Sequence, residues 1–144
     1  MDELSRVCCQ RNPQPERQRT AIESLLEAGA DIHATDKNGV TALHHAVRFR
    51  SPAAVDALLR HGADVNQACR RSRSTALHRA VTSTGAPETA GKQAEARQII
   101  ELLMRYGADP ALKNKLGKRP IDYVGSDDVR QMLQPARRRK SGSE

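Results

Sequence analysis

Large side chains are scarce in this sequence. Its 144 residues include one Phe, two Tyr and no Trp, too little bulk for a core built around aromatic rings. The apolar residues are instead Ala, Leu, Val and Ile, small enough for thin layers to stack closely, which suits a solenoid. Cysteine is sparse too, with Cys8 and Cys9 adjacent and Cys69 remote. Neighbouring cysteines pair only with strain and the total is odd, so a disulfide framework is not expected. No apolar run approaches the roughly 18 residues of a membrane span. Met1-Asp2-Glu3-Leu4 has neither the basic start nor the apolar stretch of a secretory signal. A chain of the reducing cytoplasm is the resulting expectation.

The motifs of catalysis are missing as well. There is no G-x-S-x-G, no phosphate-cradling glycine loop and no paired-carboxylate motif. No C-x-x-C or H-x₃-H spacing offers a zinc site. Neither an enzyme nor a cofactor or metal is expected. The net charge of +7 favours acidic partners in a general way. It is uneven: Arg137, Arg138, Arg139 and Lys140 against Glu144 give the last ten residues +3, leaving +4 over the first 134.

What the chain does contain is a repeat. Gly29-Ala30-Asp31 leads to Thr41-Ala42-Leu43-His44, and Gly62-Ala63-Asp64 leads to Thr75-Ala76-Leu77-His78, the two triplets 33 residues apart. Gly107-Ala108-Asp109 opens a third copy in which Arg119-Pro120-Ile121-Asp122 fills the second slot. A period of this length marks a stacked array. Within the first full unit, Asp36-Lys37-Asn38-Gly39 is a turn signal, since Asn and Gly tolerate positive φ. Thr41 stands at a helix N-cap. Leu43, Ala46 and Val47 follow at helical spacing. Ser51-Pro52 restarts the chain as N-cap and first-turn proline. Val55, Leu58 and Leu59 line a second helix that Gly62 ends as a left-handed cap. Neither helix hides its apolar stripe alone, so stacking is obligatory.

This unit resembles an ankyrin repeat, whose pattern has a GADVN-like entry, a D-x-x-G turn, T-P-L-H opening the first helix and paired aliphatics in the second. GADI, DKNG, TALH and VDALL fill those slots in order. Ala42 replaces the usual proline and Arg50 a usual glycine. The resemblance covers roughly residues 15 to 134. It implies an all-α solenoid of helix–turn–helix units with short β-hairpin-like turns, about four repeats in all, holding a protein partner on its concave face. The expected organisation is a capping helix pair over 1–28, a repeat over 29–61, and a repeat over 62–106 with an insertion at 82–96. A truncated last repeat over 107–134 and a basic disordered tail over 135–144 complete it.

The resemblance also assigns residues. His44 and His78, otherwise tempting as catalytic or metal groups alongside His45, are implied to be structural, bonding the backbone of the adjacent turn. Turn tips and the exposed end of the first helix form the family's contact surface. In this sequence those are Lys37, Asn38, Val40, Arg48 and Phe49, then Arg70, Arg71 and Arg73, then Lys113, Lys115 and Lys118. Phe49 beside Arg48 has the composition of a binding hot spot, or else packs on its own stack. The basic tips suit an acidic protein surface, or are plain solvated charge.

The function expected is a non-catalytic protein-binding module, acting as a monomer and without a membrane. The alternative is a nuclear or nucleic-acid-associated regulator that uses the basic tips and tail, although stacking aromatics and a dense basic helix stripe are absent. The tail, with Arg138-Arg139 before Ser141, has the composition of a nuclear import signal and the spacing of a basic-directed kinase site. Leu58 to Asn66 resembles the stretch in which ankyrin repeats are hydroxylated on asparagine. The 82–96 loop is either a contact or an inert insertion, since loop length costs little stability.

Overall fold

The computed structural model describes residues 2–10, 14–82, 93–124 and 127–133. Along them run α1 (Glu3–Cys8), α2 (Pro15–Glu27), α3 (Ala42–Arg48), α4 (Pro52–Arg60), α5 (Ala76–Val81), α6 (Gln93–Arg105), a 3-10 turn (Pro120–Tyr123) and α7 (Asp127–Met132). No strand occurs among the described residues. An inner row forms as α1 packs on α3, α3 on α5 and α5 on the 3-10 turn. An outer row forms as α2 packs on α4, α4 on α6 and α6 on α7. Antiparallel pairs α1–α2, α3–α4 and α5–α6 join the rows into a two-layer helical stack.

The core lies between the rows. Leu43, Ala46 and Val47 on α3 and Val55, Leu58 and Leu59 on α4 are all buried, continued by Leu77, Ile99, Ile100 and Leu103. Ala54 and Ala57 are fully buried, and their small side chains let α4 approach its neighbours, which explains how so few aromatics suffice.

Each GAD triplet closes one outer helix and starts the next turn. Gly62 takes φ +95 as the left-handed cap of α4. The following alanine amide bonds back to a carbonyl in the helix's last turn, Ala30 to Leu25, Ala63 to Leu58 and Ala108 to Leu103, at 2.9–3.0 Å. The aspartate then accepts the amide two residues on: Asp31 from His33 at 2.9 Å, Asp64 from Asn66 at 3.0 Å and Asp109 from Ala111 at 2.9 Å. These are Asx turns, which hold the chain extended as it leaves the helix.

Two local expectations need correction. Ser51 occupies the N-cap position of α4, but its hydroxyl makes no capping bond and is buried without a partner. Its ψ of 86° lies away from the extended cap conformation adopted by Thr41 and Thr75. The stretch 82–96 is also not wholly loop, because α6 begins at Gln93, where Gln-Ala-Glu-Ala supplies four good helix formers. Residues 83–92, and with them most of that loop, lie outside the described residues, as does the 135–144 tail with Ser141.

Two arginines adopt positive φ, Arg50 at 55° and Arg73 at 56°, a conformation that costs a non-glycine residue about 1–2 kcal/mol. Arg50 offsets the cost. It is 8% exposed, and its guanidinium donates to the carbonyls of Val47 at 3.4 Å, Arg79 at 3.3 Å and Thr82 at 2.9 Å. Arg50 therefore reaches from one repeat to the end of α5 in the next and satisfies carbonyls there that lack a helical partner. Arg73, at a turn tip, is exposed. The two sites are expected to respond oppositely to glycine in urea unfolding. Arg73→Gly raises stability by about 0.5–1 kcal/mol, relief of strain less the extra entropy of unfolded glycine. Arg50→Gly lowers it by about 1–3 kcal/mol, because charged hydrogen bonds are lost and carbonyls orphaned.

Candidate functional site

The surface-bearing turns are positioned by the two Thr–His pairs. Thr41 accepts the His44 amide through its hydroxyl at 3.3 Å, while the His44 Nδ1 accepts the Thr41 amide at 3.1 Å. Thr75 and His78 repeat this at 3.4 and 3.1 Å. The opposite ring nitrogen leaves the repeat. Nε2 of His44 lies 3.0 Å from the carbonyl oxygen of Gln67, and Nε2 of His78 lies 2.9 Å from that of Lys118. A carbonyl only accepts, so Nε2 carries the proton and Nδ1 is the acceptor. Both rings are neutral with both nitrogens in use, and neither is available to a metal or as a general base. Burial, with the Arg79 charge adding to it, pulls the His44 pKa down from 6.5 to about 4. Burial likewise lowers that of His78.

In the third copy Arg119 and Asp122 take these places. Asp122 accepts the Arg119 amide at 2.7 Å and pairs with the Arg119 guanidinium at 3.3 Å. The amide bond, chiefly, holds its carboxyl below the usual range. A carboxylate has no proton to send onward, so the series of bridges ends with His78 on Lys118.

The bridges align the turn tips into a ridge. The Asn38 carbonyl accepts the Arg70 amide at 3.0 Å and the Arg71 amide at 3.3 Å, and the Ser72 carbonyl accepts the Lys115 amide at 2.8 Å. Gly39, at φ +77, makes the first docking possible, since a Cβ there would stand 2.5 Å from the Arg70 nitrogen. Lys37, Arg70, Arg71, Arg73, Lys113, Lys115 and Lys118 are all exposed along this edge, whereas Asn38 and Val40 are half-buried. Asp36 lies behind the first tip. Its burial is outweighed by the amides of Val40 and Asn38 at 3.1 and 2.8 Å, which hold its carboxyl below the usual range.

Arg48 and Phe49 are not part of this ridge. They stand at the far end of α3, roughly 10 Å along the helix axis from the first tip at 1.5 Å per residue. Phe49 is half-buried, with the Arg48 guanidinium 5.9 Å above its ring centre. His45, 8% exposed, points Nε2 at Asp36 Oδ2 across 3.9 Å. Among the described residues no group of three or more His, Cys, Asp or Glu could hold a metal ion. No described helix is long and apolar enough to cross a membrane.

Three residues of this surface escaped the sequence reading. Leu116, at the third tip, is 75% exposed; a leucine inside Asn-Lys-Leu-Gly was the available signal. Arg79 and Tyr123 line a recess beside α5 and carry no motif.

Comparison with known proteins agrees with this geometry. The family model described as "Ankyrin repeats (3 copies)" matches residues 14–114. The chain belongs to the ankyrin repeat family. It is similar to Ankyrin repeat and SOCS box protein 11 of Danio rerio, 33% identical over 131 residues, 90% of this chain and 40% of that protein. It is similar too to the B-cell lymphoma 3 protein homolog of Mus musculus, 40% identical over 126 residues, 86% of this chain and 25% of that protein. Among solved structures, the ankyrin repeat domain of Bcl-3, a unique member of the IkappaB protein family, superposes with a TM-score of 0.67 at 35% identity. That match covers 83% of this chain and 47% of that one. The chain thus spans less than half the length of these relatives. Ankyrin repeats are in general protein–protein interaction modules and non-catalytic scaffolds, and the occupied imidazoles here accord with that.

Because His44 is neutral when folded, its repeat should weaken in acid. Between pH 6.5 and about 4 the unfolded chain binds a proton that the folded chain does not, so stability falls as pH is lowered through that window. His44 alone accounts for up to about 3 kcal/mol across it. Urea unfolding from pH 7 to pH 4.5 is expected to show this loss. In His44→Gln, already less stable at pH 7, the slope should flatten, and an unchanged slope would contradict the assignment.

Proposed function

We propose that this chain is a non-catalytic binding module that holds an acidic protein partner along its row of turn tips and the adjoining concave face. The observation that carries this reading is the ridge itself. Three tips are tied by backbone hydrogen bonds that the Arg70 and Arg71 amides donate to Asn38 and the Lys115 amide donates to Ser72, and they present Lys37, Arg70, Arg71, Arg73, Lys113, Lys115 and Lys118 outward. A preformed surface loses little conformational entropy on binding, and its single sign of charge steers an acidic partner toward it. Leu116, exposed between Lys115 and Lys118, adds an apolar contact to the charged field.

Phe49 and Arg48 lie apart and contribute a second, smaller contact at the other end of α3. They matter only to a partner long enough to cross the inner row.

Affinity capture with the wild-type chain, followed by titration of a recovered partner, tests the reading. Arg70→Glu, Arg71→Glu and Arg73→Glu together are expected to weaken binding about 10-fold or more, mostly through slower association at low salt. Phe49→Ala is expected to weaken it less. Every captured partner binding the triple variant as well as wild type would sink the proposed ridge.

A further inference from the structure

Beside α5 the inner face carries a recess of about 390 Å³, bounded by the second and third turns and by Tyr123. Among the described residues Arg79 is its one cationic wall, and no aspartate or glutamate lines it. The Arg79 guanidinium is poorly satisfied. Its Nε is buried with no hydrogen-bond partner among the described residues, and of these Nη2 reaches the Cys69 sulfur alone, at 3.8 Å. Among the described residues no carboxylate stands within ion-pairing distance of it. That sulfur is itself engaged with the Ser72 hydroxyl at 2.8 Å, and Cys69 is buried. A half-buried guanidinium with spare donors is costly unless an acceptor arrives.

The other walls offer neutral donors. Asn114 donates its amide to the Tyr123 hydroxyl oxygen at 2.8 Å, which leaves the phenol's own proton free to be given elsewhere. Ser74 also lines the recess. His78 is spent on Thr75 and Lys118 and serves as a neutral wall, its ring edge-on to Tyr123 with centres 6.3 Å apart. Arg71 and Arg73, next to Ser72 and Ser74 along the chain, are exposed but do not line the recess.

We propose that this recess is a specificity pocket for a glutamate or aspartate side chain of the bound protein, with Arg79 as the charge partner and Tyr123 and Ser74 as flanking donors. The inference rests on the inner face being the binding surface. One guanidinium matches one carboxylate in charge and in its forked geometry, whereas a phosphoryl group of nearly two charges calls for a cluster of cations. The groove on the outer row is larger but differs in this respect. Its Arg19 and Arg60 already meet Asp56 at 3.5 and 3.3 Å, and Glu95 and Glu101 also line it, so an entering carboxylate would meet like charge there.

The probes are three capped amino acids, N-acetyl amides of glutamate, glutamine and phosphoserine, titrated into the ¹⁵N-labelled chain and followed by NMR. Capped glutamate is expected to shift the Arg79 Nε–H and the Ser74 and Asn114 amides along one saturating curve, with capped glutamine giving none. Arg79→Gln abolishes the Ser74 and Asn114 response. Arg79→Lys and Tyr123→Phe, which keep the charge and the ring respectively, weaken it about 3-fold. Preserved His78 ring resonances show that each variant is folded. Equal shifts with glutamate and glutamine, or a response that survives Arg79→Gln, would overturn the pocket. Saturation by capped phosphoserine at tenfold lower concentration would overturn its assignment to a carboxylate. The ridge fails separately: intact partner binding by the Arg70, Arg71 and Arg73 reversal, with the Arg79 response retained, would remove the ridge and leave the pocket.

Discussion

Everything else in this stack depends on a neutral imidazole that accepts on one side and donates on the other. Nδ1 of His44 closes the start of its own helix on Thr41, and Nε2 reaches the Gln67 carbonyl of the following turn. His78 does the same between Thr75 and Lys118. Burial supports the arrangement twice over. It keeps the rings uncharged, and it makes each hydrogen bond costly to leave unmade. A lysine or a carboxylate could not perform both halves of this, as Asp122 illustrates by turning back on Arg119.

With the turns held in step, the tips close against one another through the Asn38 and Ser72 carbonyls, and a chain with almost no aromatic bulk acquires a continuous edge. Small residues make this possible at both levels. Ala54 and Ala57 let the outer row close up, and Gly39 admits the Arg70 backbone where a methyl group would collide. Arg50 adds a tie at the opposite end of the helices. It holds a conformation that favours glycine and takes three carbonyl oxygens in return, two of them in the next repeat. The scaffold is therefore tied across repeats at both ends of its inner helices.

Much of this was legible in the sequence because it is periodic. GAD, the Thr–His spacing and the aliphatic pairs each encode an interaction that recurs, and repetition turns a weak local signal into a fold. What escaped is what occurs once. Ser51 reads as a cap by residue type, but its backbone torsions deny it the role. Gln93–Ala96 sits in a stretch that composition marks as loop, and its helix formers prevailed. Arg79 follows TALH with nothing to distinguish it, because its significance is that no carboxylate among the described residues pairs with it, a property of three-dimensional surroundings. Phe49 looked like part of one contact surface with the basic tips, yet the length of α3 separates them. Leu116 was visible as an apolar residue in a polar turn, and only exposure gives it meaning.

The imidazole arrangement makes a direct demand on the state of the two rings. Long-range ¹H–¹⁵N correlation spectroscopy at pH 6 reads tautomer and charge for each histidine. For His44 and His78 the neutral form with the proton on Nε2 is expected, Nδ1 showing the shift of an unprotonated acceptor. Charged rings at that pH, or a proton on Nδ1, would contradict the account, since neither could serve both the Thr amide and the carbonyl of the next turn.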